Sequence, residues 1–214
     1  MRRKPQLDNR LKKCSKLLIA EPEENHGIWL NKYEFNDLHI ELGCGKGLFT
    51  SDSAAICPDI LFVALEKTAN VLVVAMERTG QKQLNNVLFI NRLADDLASF
   101  FASGEVSRIY INFCDPWPLR RHEKRRLTGK RFLDIYKQIL KTDGEIHFKT
   151  DNLALFEFSI AEFKRCGFIL SELSYDLHKN KPVGIMTDYE MKFHKNGVPI
   201  LRCVATKDKQ HGNI

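Results

Sequence analysis

The sequence predicts a doubly wound α/β domain with a mostly parallel sheet and an antiparallel hairpin at one edge. Short, almost continuous apolar strands alternate with helical segments along most of the chain, which is typical of a parallel sheet covered on both faces. The last two apolar segments lack a convincing helix between them, so we expect them to pair as the hairpin. Ligands bind at the carboxyl ends of the strands in such sheets. Four acids fall at these carboxyl ends: Glu41, Glu66, Asp115 and Asp151.

The apolar runs place seven strands along the chain. We expect them at residues 38–42, 60–66, 87–91, 107–113, 145–148, 169–177 and 199–206. Apolar residues at helical spacing separate the first five strands and follow the fifth. These helices are expected up to residue 57 and around residues 71–76, 97–101, 132–140 and 156–163.

A basic arm is expected to precede the domain. Residues 1–16 carry seven Lys or Arg side chains and one acid, and the arm as a whole is predicted to be loosely structured. Trp29 and Leu30 are expected to dock it on the body of the protein. A chain of 214 residues leaves little room for a second domain. We therefore divide it into an arm over residues 1–34 and a domain over residues 35–214.

Composition argues against several classes of protein. No run of about 18 apolar residues is present, so no transmembrane helix is expected. The basic N-terminus has no apolar segment behind it, which argues against a secretory signal. The six cysteines are scattered without a C-x-x-C pair, so we expect neither a zinc knuckle nor a disulfide framework. A cytoplasmic protein with reduced thiols follows, and its net charge of +6 favours an anionic partner.

A glycine-rich turn follows the strand at 38–42. Glycine accepts positive φ and lets the backbone approach a ligand closely. The G-x-G-x-G spacing of Gly43, Gly45 and Gly47 differs from the G-x-G-x-x-G fingerprint of dinucleotide sites. Glu41, two residues before the first glycine, would repel a pyrophosphate. A carboxylate at this position suits a ligand with a positive end, such as the ammonium and sulfonium groups of S-adenosylmethionine.

Glu66 ends the second strand, where an acid in such folds holds ribose hydroxyls. NAD and S-adenosylmethionine both need that contact, and a lone acid there could also cap the next helix. Together with the glycine turn, Glu66 favours S-adenosylmethionine over NAD. An NAD-dependent oxidoreductase remains the less favoured alternative.

A rigid turn, Asp115-Pro116-Trp117-Pro118, follows the fourth strand. Proline fixes its own φ and biases the preceding residue away from helix, so Asp115 and Trp117 are expected in extended geometry. Seven of the twelve residues at 120–131 are Lys or Arg. An acid and an aromatic ring beside dense positive charge suit a nucleotide within RNA or DNA, although a charge run is often only a solvated face.

Three polar motifs follow one another along the chain. They are DPWP at 115–118 with RHEKRR at 121–126, then FKTDN at 148–152, then TDYE at 187–190. With these motifs, the glycine turn and Glu66 in this order, the chain resembles the bacterial tRNA (guanine-N7-)-methyltransferase family over essentially its whole length. The resemblance implies the Rossmann-like fold of class I methyltransferases, S-adenosylmethionine as cofactor and tRNA as substrate. It also implies methyl transfer to N7 of a guanine in the tRNA variable loop.

The resemblance further implies roles for individual residues. Asp115 is the expected catalytic residue, at the junction of cofactor and base, and no metal is expected. The cofactor-binding residues are expected to be Glu41, Gly43, Gly45, Glu66, Leu93 and Asp115. The substrate-binding residues are expected to be Leu119, Asp151, Thr187, Asp188, Tyr189 and Glu190. The RNA-binding residues are expected to be Arg121, His122, Glu123, Lys124, Arg125 and Arg126.

Two positions depart from the family pattern. Leu119 stands where the family usually has a lysine that contacts substrate, and Arg120 could replace that lysine. Leu93 stands where the family usually has Asp or Asn reading the adenine amino group, and Asn91 or Asp95 could substitute for it. These departures leave an alternative function open: an RNA-binding protein on a methyltransferase scaffold with weak or no activity. Whether the protein is a monomer or a homodimer also stays open.

Overall fold

The computed structural model describes residues 6–180 and 183–208. Residues 1–5, which include three basic side chains of the arm, lie outside the described residues. The strands of the described part are β1 (Leu18–Ile19), β2 (Asp37–Leu42), β3 (Ile60–Leu65), β4 (Val87–Ile90), β5 (Val106–Asn112), β6 (Leu140–Thr150), β7 (Phe168–Ser174) and β8 (Leu201–Lys207). Its α-helices are α1 (Leu7–Lys13), α2 (Trp29–Tyr33), α3 (Leu48–Ile56), α4 (Ala69–Gln81), α5 (Leu97–Phe100), α6 (Lys130–Ile139), α7 (Leu153–Arg165) and α8 (Asp188–Lys195).

The described strands form one sheet in the order β1-β4-β3-β2-β5-β6-β8-β7. Neighbouring strands from β1 to β6 are parallel. β8 is antiparallel to both β6 and β7. This arrangement confirms the predicted α/β fold, with a mostly parallel sheet and an antiparallel edge.

Helix α8 lies between β7 and β8, where the sequence analysis expected none. It begins with a capping box, in which the Glu190 backbone N–H donates to Thr187 Oγ1 and the Thr187 backbone N–H donates to the Glu190 carboxylate. The residue that α8 buries is Glu190 rather than an apolar stripe, so hydrophobic periodicity does not reveal the helix. The antiparallel edge is therefore formed without a tight hairpin.

Two strand boundaries also differ from the prediction. β6 begins at Leu140 rather than at residue 145, because Leu140 pairs with Val106 before a register shift. β7 ends at Ser174 rather than at residue 177. The Leu177 backbone N–H donates instead to the carbonyl of Ile200. Both differences lie at element ends, where local pattern constrains the backbone least.

Two apolar clusters cover the two faces of the sheet. Side chains alternate between the faces along each strand, so Leu61 and Val63 join the larger cluster with α5, α6 and α7. Phe62 and Ala64 join the smaller cluster with α3 and α4. Burial on both faces explains why the strands read as continuous apolar runs.

The described part of the arm is built into the domain. α1 packs on α4, where Arg10 Nε donates to Glu77 Oε1 at 2.7 Å, and β1 pairs in parallel with β4 at the sheet edge. Trp29 is fully buried, and its Nε1–H donates to the carbonyl of Phe100 at 2.8 Å. The prediction that Trp29 docks the arm is confirmed. The prediction of a loosely structured arm is wrong for the described residues, which include α1, β1 and α2. The sequence did not reveal β1, because a strand of two residues is too short to show a periodicity.

The fold brings the carboxyl ends of β2, β3, β4 and β5 to one edge of the sheet, where the polar side chains singled out above are found. No helix within residues 6–180 and 183–208 combines the length and the apolar character needed to cross a membrane. The boundary between arm and domain at residue 34 stays a prediction.

Candidate active site

A cavity of about 1050 Å³ lies at the carboxyl ends of β2 to β5. Its volume is slightly above the range of about 300–1,000 Å³ that is usual for ligand sites, so it is large enough for a nucleotide-sized cofactor. The walls contain all of the residues that the sequence assigned to cofactor and catalysis. The predicted residues among them are Glu41, Gly43, Gly45, Glu66, Leu93, Asp115, Arg125, Thr187, Asp188 and Tyr189.

The glycine turn between β2 and α3 forms one wall. Gly43 and Gly45 have φ of +79° and +58°, a backbone conformation that side chains with a Cβ rarely adopt. No atom would lie within 4 Å of a Cβ at either position, so these two glycines are required by conformation rather than by lack of space. Gly47 is required by conformation and by lack of space, because its φ is +72° and a Cβ there would lie 2.6 Å from the Cβ of Ala75 on α4.

Glu41, the penultimate residue of β2, is a buried carboxylate at the cavity wall. Thr50 Oγ1 donates to its Oε2, and Asn112 Nδ2 donates to its Oε1 at 3.0 Å. Burial raises the pKa of Glu41 above its ordinary value, while the hydrogen bonds from Thr50 and Asn112 act in the opposite direction. Two donors therefore fix the orientation of the acid.

Glu66 follows β3 and also lines the cavity. Its Oε1 accepts a hydrogen bond from the Thr68 backbone N–H at 2.8 Å, which shapes the turn into α4. The same residue thus serves the helix start and borders the cavity. Both interpretations of Glu66 offered by the sequence are compatible with the structure.

Leu93 is an exposed side chain on the cavity wall after β4. Of its two possible substitutes, Asp95 lines the cavity and pairs with Arg131 Nη2 at 2.6 Å. Asn91 is not among the lining residues, and its Nδ2 donates to the backbone carbonyl of Glu66 at 2.7 Å. Asp95 is therefore better placed than Asn91 to meet an adenine amino group.

Asp115 is an exposed carboxylate where the cavity meets solvent. Lys67, the residue after Glu66, places its Nζ 3.3 Å from Asp115 Oδ2. Lys67 was not among the predicted site residues. It lies just beyond the carboxyl end of β3, and its position beside the predicted site acid Glu66 is the signal that could have found it.

The backbone around Asp115 is strained. Phe113 and Trp117 have φ of +54° and +41°, and such conformations cost about 1–3 kcal/mol each. The predicted extended geometry of Trp117 is therefore wrong. Arg126 maintains the turn, since its Nε donates to the carbonyl of Pro116 at 3.2 Å and its Nη2 to that of Trp117 at 3.1 Å.

The basic run splits into two sets. Arg121, Lys124 and Arg125 are exposed, and the guanidinium of Arg125 lies 4.9 Å from the centre of the Trp117 ring. Arg126, in contrast, has a side chain only 12% exposed. Because its donors go to the turn and its guanidinium lies 4.3 Å from the Phe158 ring, Arg126 does not present itself to RNA as the sequence predicted.

The other two members of the run have minor contacts. His122 lies edge-on to the Trp117 ring, with ring centroids 5.6 Å apart. Glu123 is half exposed, and one oxygen lies 3.9 Å from Arg126 Nη1. Both residues belong to the 3₁₀ turn Arg120–Arg125, which follows the DPWP turn and places His122 and Arg125 against the Trp117 ring.

Glu190 is fully buried, contrary to its predicted role at the guanine edge. Lys149 Nζ donates to both of its carboxylate oxygens at 3.0 and 3.1 Å, and His178 Nε2 lies 2.8 Å from Oε1. Burial lowers the pKa of Lys149, while Glu190 acts in the opposite direction. The carboxylate of Glu190 therefore holds α8 on the sheet and does not reach the cavity.

The other predicted substrate residues divide between cavity and surface. Asp188 accepts from the Arg78 guanidinium at 3.0 and 3.3 Å, which ties α8 to α4 beside the cavity. Asp151 and Leu119 are exposed and lie outside the cavity lining. These two would contact only a substrate that extends beyond the cavity.

An aromatic stack that the sequence analysis missed borders the cavity. The Phe113 ring lies parallel to those of Tyr189 and Phe193, with centroids 6.4 and 6.2 Å apart and interplanar angles of 19° and 18°. Tyr189 is 63% exposed. Phe113 and Tyr189 both line the cavity near Asp115, so a flat ligand has an aromatic surface beside the acid.

Comparison with known proteins gives the family. The family model described as "Putative methyltransferase" matches residues 36–203. A tRNA (guanine-N(7)-)-methyltransferase of Geobacillus thermodenitrificans is 44% identical over 213 residues, covering 98% of each chain. Another, of Bacillus cytotoxicus, is 46% identical over 208 residues, covering 96% of this chain and 95% of its own. The chain belongs to the tRNA (guanine-N7-)-methyltransferase family. This membership excludes the NAD-dependent alternative.

The fold agrees with that of other methyltransferases. A crystal structure of the 16S rRNA methyltransferase KamB aligns with a TM-score of 0.62 at 14% identity, covering 84% of this chain and 92% of that one. At this identity the likeness shows the fold alone. It confirms the Rossmann-like class I methyltransferase fold that the sequence predicted.

S-adenosylmethionine is the methyl donor of this class of enzyme, and the cavity has the chemistry to hold it. Glu41 would offer a carboxylate to its ammonium group and Glu66 one to its ribose hydroxyls, and the positive-φ turn at Gly43 and Gly45 lines the same cavity. Within the described residues, no group of three His, Cys, Asp or Glu side chains is placed to hold a metal ion.

Proposed function

We propose that the enzyme transfers a methyl group from S-adenosylmethionine to N7 of a guanine in the variable loop of tRNA. The observation that carries this proposal is the shared cavity. Asp115, held in a strained turn, opens into the same space as Glu41 and Glu66. A carboxylate at the junction of a cofactor site and an aromatic surface is suited to a flat base that becomes positively charged.

The chemistry needs little from the protein beyond alignment and charge. N7 of guanine carries a lone pair and no proton, so no general base is required. The bound cofactor supplies the methyl group on a sulfonium centre. Asp115 would stabilise the positive charge that develops on the purine ring, and a preorganised opposite charge of this kind contributes more than any other single factor in many enzymes. Lys67 keeps Asp115 paired until the base arrives.

The aromatic stack would receive the target base. Single-stranded bases are commonly splayed out and stacked on aromatic side chains, and Tyr189 and Phe113 offer such a surface beside Asp115. Thr187 and Asp188 lie on the same wall, where acceptor oxygens could read the guanine ring N–H and amino group. Asp151 and Leu119 would contact neighbouring nucleotides outside the cavity.

The exposed basic residues would hold the tRNA backbone. Arg121, Lys124 and Arg125 are exposed in the turn Arg120–Arg125, and Arg125 also lies over the Trp117 ring and lines the cavity. Lys12 and Lys13 on α1 are exposed as well. Phosphate contacts position a substrate without reading its sequence. We expect the affinity for tRNA to fall steeply as the salt concentration rises. We also expect the protein to be located in the cytoplasm, where its tRNA substrate is.

Transfer of labelled methyl to unmodified tRNA, followed by nuclease digestion and mass spectrometry, tests the proposal. Detection of 7-methylguanosine in the variable-loop fragment supports it. A tRNA in which that guanine is replaced by adenine is the matched control and should accept no methyl group. Binding of tRNA without transfer would favour the alternative, an RNA-binding protein on a methyltransferase scaffold. Transfer to another position would overturn the variable-loop assignment.

A further inference from the structure

Asn112, the last residue of β5, has a carboxamide with one unpartnered end. The residue is 7% exposed and lines the cavity. Its Nδ2 donates to Glu41 Oε1 at 3.0 Å, whereas its buried Oδ1 has no hydrogen-bond partner within the part of the chain that the structure describes. Buried polar atoms without a partner are rare in folded proteins. The unpartnered oxygen therefore calls for a donor from outside the protein.

The orientation of the carboxamide is fixed by its neighbour. An ionised carboxylate accepts hydrogen bonds and cannot donate them, so the amide nitrogen must face Glu41 and the amide oxygen must face elsewhere. Thr50 already donates to the second oxygen of Glu41. The carboxamide therefore presents Oδ1 on the side that does not face Glu41, and Asn112 and Glu41 both line the cavity.

Among the described residues, Lys149 is the cation to consider as a donor to Oδ1, since it pairs with Asn112 in the β5–β6 register and interacts electrostatically with Glu41. Its ammonium has three N–H donors, and these are used by the two oxygens of Glu190 and by the carbonyl of Ile185 at 3.2 Å. Although it lies opposite Asn112 in this register, Lys149 therefore has its three donors used by Glu190 and Ile185.

Two adjacent acceptors, one of them an acid, suit an ammonium group. S-adenosylmethionine carries one, on the α-carbon of its methionyl part. Its other nitrogen donor is the adenine amino group at the opposite end of the molecule, beyond the ribose that Glu66 is placed to bind. Glu41 and Asn112 lie on strands next to each other in the sheet, at the end of the cavity formed by the glycine turn.

We propose that Asn112 is a cofactor-binding residue whose Oδ1 accepts a hydrogen bond from the α-ammonium group of S-adenosylmethionine, beside the Glu41 carboxylate. The same side chain orients Glu41 through Nδ2, so it serves the ammonium site in two ways. The proposal deepens the proposed function and rests on it only for the identity of the cofactor.

Calorimetric titration with two ligands tests the proposal without any tRNA. S-adenosylhomocysteine has the α-ammonium group, and 5′-methylthioadenosine keeps the adenosine and sulfur but lacks the amino-acid end. For Asn112→Ala we expect the affinity for S-adenosylhomocysteine to fall about 10- to 100-fold, as for other hydrogen bonds to charged groups, with a change of less than about threefold for methylthioadenosine.

Two further variants separate the roles of the side chain. Thr50→Val removes the other hydrogen bond to Glu41 and leaves Asn112 in place, so it measures the effect of loosening Glu41 alone and should be milder than Asn112→Ala. Asn112→Asp keeps an acceptor oxygen and loses the donor to Glu41. We expect it to retain the preference for S-adenosylhomocysteine, and this comparison remains informative if Asn112→Ala does not fold.

Several outcomes would overturn the proposal. Equal losses for both ligands in Asn112→Ala would mean that Oδ1 holds only water or supports the fold. No loss for either ligand would mean that its donor comes from the smaller cleft of about 320 Å³ that Asn112 also borders. An equal loss of affinity for S-adenosylhomocysteine in Asn112→Ala and Thr50→Val would mean that Asn112 acts only by orienting Glu41. If the wild-type protein bound neither ligand, the cofactor assignment itself would fail, which is a different result.

Discussion

Lys67 and Asp115 form an ion pair at the cavity mouth, with Nζ 3.3 Å from Oδ2. β3 and β5 are the two neighbours of β2 in the sheet, so the pair joins the strand ends on either side of the strand that leads into the glycine turn. Both side chains are more than half exposed, and exposed pairs contribute little to stability. The ion pair with Lys67 therefore positions the Asp115 carboxylate at the cavity mouth and contributes little to the stability of the fold.

Replacement of Glu190 should destabilise the fold and identify the residue as structural. Glu190→Gln keeps the capping hydrogen bond but leaves Lys149 as a buried charge without its partner, which typically costs about 3–5 kcal/mol. Chemical denaturation measures this loss. The matched control is Asp188→Asn, whose partly exposed pair with Arg78 should cost no more than about 1 kcal/mol. A Glu190→Gln protein as stable as wild type, with tRNA binding lost, would contradict this account.

His147 should make the protein less stable in mild acid. Burial lowers the pKa of His147 to about 4 from its ordinary 6.5, against the opposing effect of its hydrogen bond with Glu145. Between these values the unfolded chain binds the proton and the folded chain does not, so stability falls as pH falls from about 6.5 toward 4. A shift of this size corresponds to about 3 kcal/mol.

Urea denaturation of wild type and His147→Gln, in steps of about one pH unit between pH 7.5 and pH 4.5, measures this effect as the difference between their free energies of unfolding. At the lower pH limit, carboxylates whose pKa is lowered in the folded protein, such as Glu145, stay ionised. The variant should lose less stability across the range than wild type does. The exposed His26→Gln is the control and should follow wild type. Parallel curves for wild type and His147→Gln would refute the assignment.

Tyr189 should contribute to tRNA recognition through its ring. Tyr189→Phe keeps the stack with Phe113 and should retain activity, whereas Tyr189→Leu should lower kcat/KM for tRNA by about 5- to 100-fold, the usual effect of removing one base-stacking ring. The affinity for S-adenosylhomocysteine should stay within about threefold, measured by calorimetry. Tyr175→Leu, at an exposed tyrosine after β7, is the control. A similar loss in Tyr175→Leu would mean that the effect is not specific to the stack.

Arg121 and Arg126 should behave differently although both lie in the basic run. Arg121→Ala should weaken tRNA binding and lower the slope of log K against log salt by about 1, as expected for one lost phosphate contact. Arg126→Ala should instead lower the melting temperature, because the carbonyls of the strained turn lose their donors. An unchanged melting temperature in Arg126→Ala, with a lower salt slope, would restore its predicted role as an RNA-binding residue.

Strand-end logic predicted much of the cavity from the sequence. Glu41, Glu66 and Asp115 each follow an apolar run, and parallel strands bring their carboxyl ends to one edge, so their convergence needed no structure. The family resemblance added Leu93 and the TDYE motif. The structure brings Thr187, Asp188 and Tyr189 to the cavity wall.

Other features depend on contacts that a local pattern does not encode. An acid in a capping box can face solvent or the core, and Glu190 faces the core because Lys149 and His178 meet it there. Trp117 has positive φ, and the donor to its carbonyl is Arg126, nine residues later. Lys67 meets Asp115 only because the sheet places β3 and β5 on either side of β2. Each of these contacts joins residues that are far apart in the sequence or outside any periodic pattern, so the sequence could not predict the roles of Glu190, Trp117 and Lys67.

The most direct test of the central claim is the single-turnover rate of methyl transfer in Asp115→Asn. Asparagine keeps the size of the side chain and removes its charge. We expect the rate to fall by about 10²–10³-fold, as when a preorganised electrostatic group is lost, with the affinities for S-adenosylhomocysteine and tRNA close to wild type. Lys67→Met should change the rate by no more than about fivefold. A rate for Asp115→Asn within about tenfold of wild type would contradict the assignment of Asp115 as the catalytic carboxylate.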